Sequence, residues 1–479
     1  MHKFLTFFLS LVLFLIGTKL HATNVIGADI TYTCDSSLVY TFKIVYYRYC
    51  GGAPFSDPSD STRLVSTKTG VFEAVSLTRQ SIVDVTPLCK TATSGCDPVN
   101  TSETGEGIEA HTYTVNIDFK KAPYNNLLKN GNCEVRLETG LCCRSDSITT
   151  GAANKRFYTF AQFDLCKVIT NNSPQFVSPA NALVCCYQPI YTMVGAHDIL
   201  DNDSLSYSFA QPLEDINKPI AYNSSNYKYY FPFHSYYPGI LRPPYTNINA
   251  NPPIGIYLDK SSGYLVWTPV NCDEVTVAVL EIKEWRRDSS GTFQVIGTTR
   301  RDMQFTTINC RGNNPPRVSS KQNIFIKPFT WSTDYCFDIS TDDKVMRQPD
   351  GSIPPPDSVT FDIPVLPKGF SFSIYNSKAL HQSAKICIDI SKIEREKLTK
   401  NAFYLPFTVR DNACTQNSVT SHLVRFEFDK SIIGKIVGNV IDDQNSNCVL
   451  DTTESNLYRK RKIGFSRVDL VQKETNNGK

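Results

Sequence analysis

Regular alternation of apolar and polar side chains predicts β-strands over most of this chain. Between residues 40 and 46, large apolar side chains occupy every second position, and the same period of two recurs at residues 275–279 and 424–428. Successive side chains of a strand point to opposite faces, so this period is typical of strands with one buried face. The one segment with a helical pattern, residues 390–398, is short and highly charged, and it indicates a single turn between strands. The pattern therefore predicts an all-β fold built from β-sandwiches.

Breaks in this pattern divide the chain into segments. Joints that combine Asn with Pro lie at residues 171–174 and 312–316, each shortly after a cysteine, and a third break lies near Lys430. A chain of 479 residues is expected to hold several domains, and polar stretches with Pro are typical of the linkers between them. The predicted segments are a cysteine-rich N-terminal domain at residues 23–170, sandwiches at residues 171–311 and 312–430, and an incomplete module at residues 431–479, where too few strands are predicted to bury a core.

Residues 1–22 have the features of a secretory signal peptide. Lys3 precedes an apolar run from Phe4 to Gly17, and small or polar residues follow near Ala22. The run is shorter than the roughly 20 residues that a membrane-spanning helix needs, and no later segment is apolar enough to cross a bilayer. We therefore predict a protein without a transmembrane span that is secreted or held at the outer cell surface.

All 16 cysteines follow the signal segment. An even, scattered set in an exported chain predicts disulfides, because the compartments outside the cytosol are oxidising. A zinc site would need paired CxxC spacing, which does not occur in the sequence. Two pairs are adjacent, Cys142–Cys143 and Cys185–Cys186. Adjacent cysteines rarely bond each other, so we expect the members of each pair to reach different strands, while the full connectivity stays open.

The charge and the motifs of the chain do not favour nucleic-acid binding or catalysis. The formal net charge is only +3, and no long basic face predicts nucleic-acid binding. The histidines of the mature chain are scattered, and the sequence contains no HExxH, GxSxG or glycine-rich phosphate motif. The sequence therefore predicts neither an enzyme nor a nucleic-acid-binding protein.

A stretch of oxygen-bearing residues near the C-terminus predicts a calcium site. Calcium binds about six to eight oxygen atoms, and an EF-hand-type loop supplies them from alternate positions, with one backbone carbonyl and a final Glu. Cys448 stands where Gly is usual in such a loop, and a polar surface turn is the alternative interpretation. The predicted calcium ligands are Asp443, Asn445, Asn447, Val449, Asp451 and Glu454.

A second acidic cluster, formed by Asp198, Asp201 and Asp203, is a further candidate calcium site. Carboxylate oxygens at short intervals along the chain are what a hard cation requires. The alternative is a turn in which the Asp side chains accept hydrogen bonds from nearby backbone amides. Both interpretations stay open on the sequence alone.

Aromatic residues are concentrated between residues 222 and 245, where several prolines exclude a regular strand. Exposed aromatic rings stack on sugars and anchor protein interfaces, so this segment is a candidate recognition loop. The alternative is an excursion between strands that packs its rings onto its own sandwich. The candidate ligand-binding residues are Tyr229, Tyr230, Phe233, Tyr236 and Tyr237.

Several motifs resemble those of large secreted proteins of Bacteroidota, which are often exported by the type IX system and called gliding-motility-associated. GADITYTC (residues 27–34) and GNCEVRLETGLCCR (131–144) resemble the N-terminal domain of that family. DILDNDSLSYSF (198–209) and GIYLDKSSGYLVWTP (255–269) are similar to its cadherin-like or immunoglobulin-like domain. GKIVGNVIDDQNSNC (434–448) resembles the start of a calcium-binding B-type repeat of bacterial adhesins. The resemblance implies tandem immunoglobulin-like or cadherin-like sandwiches and a truncated calcium-binding repeat.

Two hypotheses of function follow. In the first, the chain is a non-catalytic secreted or cell-surface structural and adhesion protein, whose stalk of sandwiches is stiffened by calcium. In the second, it is a carbohydrate-binding accessory region of a larger secreted enzyme, and the aromatic segment carries the binding. The expected partner is a surface protein or a glycan.

Overall fold

In the computed structural model, the chain divides into two compact units, residues 1–428 and residues 429–479. The predicted signal peptide and the predicted C-terminal module lie outside the described residues, so both stay predictions. The structure describes residues 24–428 with gaps at 52–53, 55, 90, 98–106, 177, 199, 202, 289, 311–312, 319–323, 330–333, 344–352, 354, 363–365, 367, 393–401 and 414–416.

The first part of the described chain folds around one apolar core. Its strands are β1 Val25–Ser36, β2 Val39–Tyr49, β3 Arg63–Ser66, β4 Phe72–Ala74, β5 Thr78–Asp84, β6 Ile108–Asp118, β7 Glu134–Leu141 and β8 Phe157–Asp164, with 3-10 turns at Pro58–Ser61 and Tyr124–Gly131. Strands β1, β2, β6 and β5 are hydrogen-bonded in that order, as are β4, β3, β7 and β8. The alternation predicted at residues 40–46 is confirmed, because Tyr40, Phe42, Ile44 and Tyr46 all point into this core and are fully buried.

The next part adds short strands and two long ones. They are β9 Gln175–Phe176, β10 Asn181–Cys185, β11 Ile190–Met193, β12 Ala196–His197, β13 Ser204–Ala210, β14 Leu213–Asp215, β15 Lys218–Pro219, β16 Tyr257–Leu258, β17 Tyr264–Trp267, β18 Val275–Arg287 and β19 Phe293–Ile308. The last of these lies in the sheet between β8 and β1. It also runs antiparallel to β18 and parallel to β10. Strand β19 therefore joins the two parts of the chain in one sheet.

A second core belongs to both of these parts. Ile26, Tyr47 and Ala110, which belong to β1, β2 and β6, pack in one cluster with Trp267 and Phe305. The predicted boundary between residues 170 and 171 falls between β8 and β9. The division into a domain on each side of it stays a prediction, but strands from both sides pair and share apolar contacts.

Two buried ion pairs fix β19 in this sheet. Arg301 donates from Nε to Asp29 Oδ1 over 2.8 Å, and Arg144 donates from both terminal nitrogens to the Asp302 carboxylate, each over 2.7 Å. Arg144, Arg301 and Asp302 are almost completely buried. Charges this deep are tolerated because each is matched by an opposite charge and by hydrogen bonds.

Residues 316–428 form a sandwich with its own core. Its strands are β20 Pro316–Val318, β21 Ile324–Phe329, β22 Tyr335–Asp343, β23 Val359–Asp362, β24 Phe370–Ile374, β25 Ser383–Ile388, β26 Ala402–Asp411 and β27 Val419–Phe428, with a 3-10 turn at Ile390–Lys392. The described strands make two sheets, ordered β20-β22-β25-β24 and β21-β27-β26-β23. Phe337 and Ile386 from the first sheet meet Phe407 and Phe426 from the second. The predicted all-β class of disulfide-stapled sandwiches is confirmed.

Disulfides link strands and loops throughout the described residues. The predicted behaviour of one adjacent pair is confirmed, because Cys185 and Cys186 bond different partners. Within the described part, no helix is long and apolar enough to cross a membrane. The disulfides whose two cysteines are both described and lie far apart in the chain include Cys50–Cys96, Cys133–Cys166, Cys185–Cys310, Cys186–Cys272 and Cys336–Cys387.

The prediction for the other adjacent pair is wrong, because Cys142 and Cys143 bond each other. Strand β7 ends at Leu141, so both cysteines lie in the bend that follows it. The rule that sends neighbouring side chains to opposite faces holds only inside a strand. Cys34, in β1, carries a free thiol.

Candidate functional site

The predicted calcium loop of Asp443 to Glu454 lies outside the described residues. Its six candidate ligands are therefore not placed, and the calcium site stays a prediction.

The second candidate site, Asp198 with Asp201 and Asp203, is brought together by the turn between β12 and β13. Asp198 Oδ1 accepts a hydrogen bond from the backbone amide of Asp201 over 3.0 Å, and its Oδ2 accepts one from the amide of Asp203 over 2.7 Å. A side chain that binds the amides of following residues is typical of an Asx turn. Burial, and then the neighbouring charge of Asp203, raise the pKa of Asp198 to about 7.

An arginine supplies positive charge to this acidic turn. Arg286, at the end of β18, donates from Nε to Asp203 Oδ1 over 2.7 Å and from Nη2 to Asp203 Oδ2 over 2.6 Å. The same Nη2 lies 3.0 Å from Asp201 Oδ2. Two of the three proposed calcium ligands are thus engaged by a guanidinium, a bidentate arrangement that suits carboxylates. These contacts fit the turn interpretation better than a cation site, and the calcium assignment stays a prediction.

The joint at residues 171–174 is buried against this turn. Asn172 donates from its backbone amide to Asp201 Oδ2 over 2.6 Å and from Nδ2 to Asp201 Oδ1 over 2.7 Å. Its Oδ1 accepts the backbone amide of Cys34 in β1 over 2.8 Å. Asn171 is 1% exposed and donates from Nδ2 to Glu284 Oε2 over 2.6 Å. The joint therefore fastens β1, β18 and the acidic turn together.

A similar arrangement recurs at the second joint, residues 312–316. Asn172 and Asp201 are 29 residues apart, and the same spacing separates Asn314 from Asp343, both of which are buried. Its neighbour Asn313 donates from Nδ2 to Asp411 Oδ2 over 3.0 Å. Burial raises the pKa of Asp411 to about 7. Both Asn-Asn joints thus donate hydrogen bonds to carboxylates that follow them in the chain.

The aromatic candidates divide into a buried group and an exposed group. Phe233 is 4% exposed, and its ring stacks on Trp267 with 4.6 Å between centroids. Tyr236 and Tyr237 are half-buried, and the backbone amide of Tyr236 donates to the carbonyl of Thr268 over 2.9 Å. Only Tyr229 and Tyr230 are exposed, at 40% and 50%.

The sequence predicts these aromatic residues as one set, yet they differ in burial and in the contacts that hold them. Phe233 lies next to Pro232, whose carbonyl accepts a hydrogen bond from Thr276 Oγ1 over 2.7 Å, so this part of the segment is fixed to β18. Tyr229 and Tyr230 lie at the centre of a turn that is closed by backbone hydrogen bonds between Lys228 and Phe231. The signal that could have separated them is the Lys-Tyr-Tyr-Phe order, in which two large rings occupy the centre of a tight turn.

No protein-family model and no curated protein matches this sequence. Among solved structures, a fragment of mouse clustered protocadherin PcdhgC3 (EC1-3) is 9% identical over 36% of this chain and 51% of that chain, with a TM-score of 0.18. The titin I-band fragment I67-I69 is 8% identical over 84% of this chain and 99% of its own, with a TM-score of 0.15. The protocadherin GammaB4 extracellular domain is 11% identical over 88% and 65%, with a TM-score of 0.18. At these TM-scores the likenesses assign neither a family nor an activity, and this chain spans about half of the protocadherin PcdhgC3 fragment.

Proposed function

We propose that this chain is a non-catalytic extracellular protein with a structural and adhesive role, and that calcium stiffens its C-terminal module. The observation that carries the proposal is the use of buried charge. Two buried ion pairs, Arg144–Asp302 and Arg301–Asp29, hold the long strand β19 in place. Buried ion pairs of this kind fix one arrangement of strands, which suits a protein whose task is to keep its shape.

Covalent links support the same role. Cys185–Cys310 closes a segment of 125 residues, and Cys186–Cys272 closes one of 86 residues within it. Disulfides persist in oxidising compartments outside the cytosol, so they support an extracellular location, as does the predicted signal peptide at residues 1–22. The resemblance to Bacteroidota surface proteins adds the bacterial cell surface as the proposed place of action.

The proposed calcium site is the loop of Asp443 to Glu454. An ion that binds the folded module and not the unfolded one stabilises it by mass action. A stiff stalk presents its ligand-binding end with a smaller loss of conformational freedom, which favours attachment. In this proposal, Asp443, Asn445, Asn447, Asp451 and Glu454 have a mechanical role.

The test is a thermal melt of the full chain in calcium and then in excess EDTA. The expected result is a transition that EDTA shifts to lower temperature, and that loses its calcium dependence in Asp443→Ala. Asp273→Ala is the matched control, because Asp273 is exposed and lies before β18, far along the chain from the loop. Superimposable melts of the unaltered protein in calcium and in EDTA would refute the calcium part of the proposal.

A further inference from the structure

Tyr229 and Tyr230 are the exposed central residues of a tight turn that lies between β15 and β16. The backbone amide of Phe231 donates to the carbonyl of Lys228 over 3.0 Å, and the amide of Lys228 donates back to the carbonyl of Phe231 over 3.3 Å. These reciprocal bonds close a turn with the two tyrosines between its ends. The centre of a turn usually holds Gly, Pro, Asn or Asp, since small or preset residues adopt its backbone angles at least cost. Large rings at both central positions therefore need another reason.

The rings form a corner that is open to solvent. The centroids of Tyr229 and Tyr230 are 4.9 Å apart, and the ring planes meet at 83°. Behind them, Phe231 meets Tyr230 edge to face at 4.7 Å and 90°. Edge-to-face contacts of this kind hold each ring through the quadrupole of its neighbour. The corner is therefore supported from within the turn.

The base of the turn is fastened to Glu274, the residue immediately before β18. Glu274, which is buried, accepts a hydrogen bond from Tyr227 Oη over 2.7 Å and from the backbone amide of His234 over 3.1 Å. Burial raises the pKa of Tyr227, and the Glu274 carboxylate raises it further, so this phenol keeps its proton and donates. Phe233 then packs into the core against Trp267 and Phe305. A platform held in advance loses less freedom when a ligand binds.

The surroundings of the corner indicate the chemistry of its ligand. Residues 223–226, Asn-Ser-Ser-Asn, are all exposed, and so are Lys228 and His234. A protein partner of ordinary affinity covers about 800 Å² on each side, with a central apolar cluster, whereas residues 223–226 and Lys228, which precede these two rings, are exposed and polar. A nucleic acid would need a basic groove, and the formal net charge of the whole chain is only +3. A sugar needs a ring face for its C–H groups and amides or hydroxyls for its O–H groups, and this turn offers both.

We propose that the Lys228–Phe231 turn is a carbohydrate-binding site, in which the face of a pyranose ring stacks in the corner of Tyr229 and Tyr230. The exposed hydroxyls and amide of Ser224, Ser225 and Asn226, which shortly precede the turn in the chain, are the proposed partners of the saccharide hydroxyls. Glu274 is a positioning residue, which holds Tyr227 and His234 on either side of the turn. The inference names a ligand class for the adhesive role proposed above and rests on that role, but it does not depend on calcium.

The experiment is affinity electrophoresis of the full chain through gels that contain one neutral polysaccharide each: laminarin, hydroxyethyl cellulose, xylan or mannan. A glycan array extends the set of sugars. We expect saturable retardation by at least one of them, and a loss of affinity of about tenfold or more in Tyr229→Ala/Tyr230→Ala, because two stacking contacts are removed. Tyr229→Phe/Tyr230→Phe keeps the rings and should keep most of the binding.

The matched control is Tyr375→Ala, which removes a tyrosine that is 60% exposed in the separate sandwich of residues 316–428. It should bind like the unaltered protein. No binding to any gel or array glycan would overturn the proposal, and so would equal binding by the double alanine variant and the Tyr375→Ala control. Running the gels in EDTA separates this result from the calcium test: binding that survives EDTA supports the site even if the calcium-dependent melt fails.

Discussion

Residues 24–308 and residues 316–428 enclose their apolar side chains in different ways. In the second region, two sheets face each other and one core lies between them. In the first region, strand β19 contributes to a sheet that borders two cores, and β1, β2 and β6 supply side chains to both. A sandwich with one core can leave its outer faces to water. A sheet with two buried faces must also satisfy every polar group along its strands, which is why β19 carries paired charges.

The comparison teaches where each region is fragile. In the described part of residues 316–428, Arg410 and Asp362 form an ion pair that is about one third exposed at the arginine and more at the aspartate. In residues 24–308, the Arg144–Asp302 pair is 1% and 2% exposed. Water and salt screen the first pair, and neither reaches the second.

The largest expected effect on stability comes from removing a buried charge of β19. Asp302→Ala should lower the free energy of unfolding by about 3–5 kcal/mol, because Arg144 is left buried without its counter-charge. Asp362→Ala should cost about 0–1 kcal/mol, as is usual for an exposed pair. Urea unfolding of the two variants checks this. Equal losses would show that the charges of β19 are not the special element of the first region.

A smaller effect concerns the disulfides of the two regions. Replacing Cys185 and Cys310 by Ser should cost about 2–5 kcal/mol. That loss should exceed the loss for Cys336 and Cys387 by about 0.8 kcal/mol, because the closed segments are 125 and 51 residues long and the entropy of the unfolded chain grows with loop length. Unfolding by guanidinium chloride under non-reducing conditions measures both. A larger loss for Cys336 and Cys387 would mean that native contacts, and not the unfolded chain, decide the contribution of each bond.

Two buried groups give the second region a pH dependence of its own. Burial raises the pKa of Asp411 from 3.8 to about 7, so its contribution to stability is present at low pH and is lost as the pH rises through this window. Burial lowers the pKa of His422 from 6.5 to about 3, so stability is lost as the pH falls through that window. The two groups oppose each other where their windows overlap.

Asp411→Asn should therefore remove the loss of stability with rising pH that Asp411 causes, and leave the opposite effect of His422. The unfolding free energy of the variant minus that of the unaltered protein should rise with pH between about 4 and 7, by at most about 1.4 kcal/mol per pH unit. Urea titrations at several pH values measure the difference. His422→Gln is the control, and its difference should change with the opposite sign. Parallel profiles for Asp411→Asn and the unaltered protein would contradict the expectation.

Much of the strand content could be predicted from the sequence, because a period of two is a local property. Tyr40, Phe42, Ile44 and Tyr46 occupy every second position, and all four are fully buried. Arg300, Arg301 and Asp302 are three successive charged residues, a type that is usually exposed, yet all three are buried. They are buried because Asp29 and Arg144 lie 272 and 158 residues away along the chain, and no local pattern shows such partners.

The candidate sites follow the same rule. The Asp198 cluster could be found by spacing, but Arg286, which engages two of its carboxylates, lies 83 residues from Asp203. The aromatic segment could be found by composition, but its division into a buried Phe233 and an exposed tyrosine pair depends on contact with Trp267. Sequence therefore indicates which residues have chemistry to offer, and tertiary contacts decide which of them remain accessible.

The place of β19 in the sheet has a consequence for folding. Gly27, in the first strand, pairs with Met303. During synthesis from the N-terminus, β1 and β8 therefore each lack their β19 neighbour until residue 308 has been synthesised. Contacts that join such distant residues slow folding, and unpaired strand edges invite pairing with other chains. A chain that stops before Phe293 would keep those edges permanently, so shortened versions of this protein should aggregate even where most of their strands are intact.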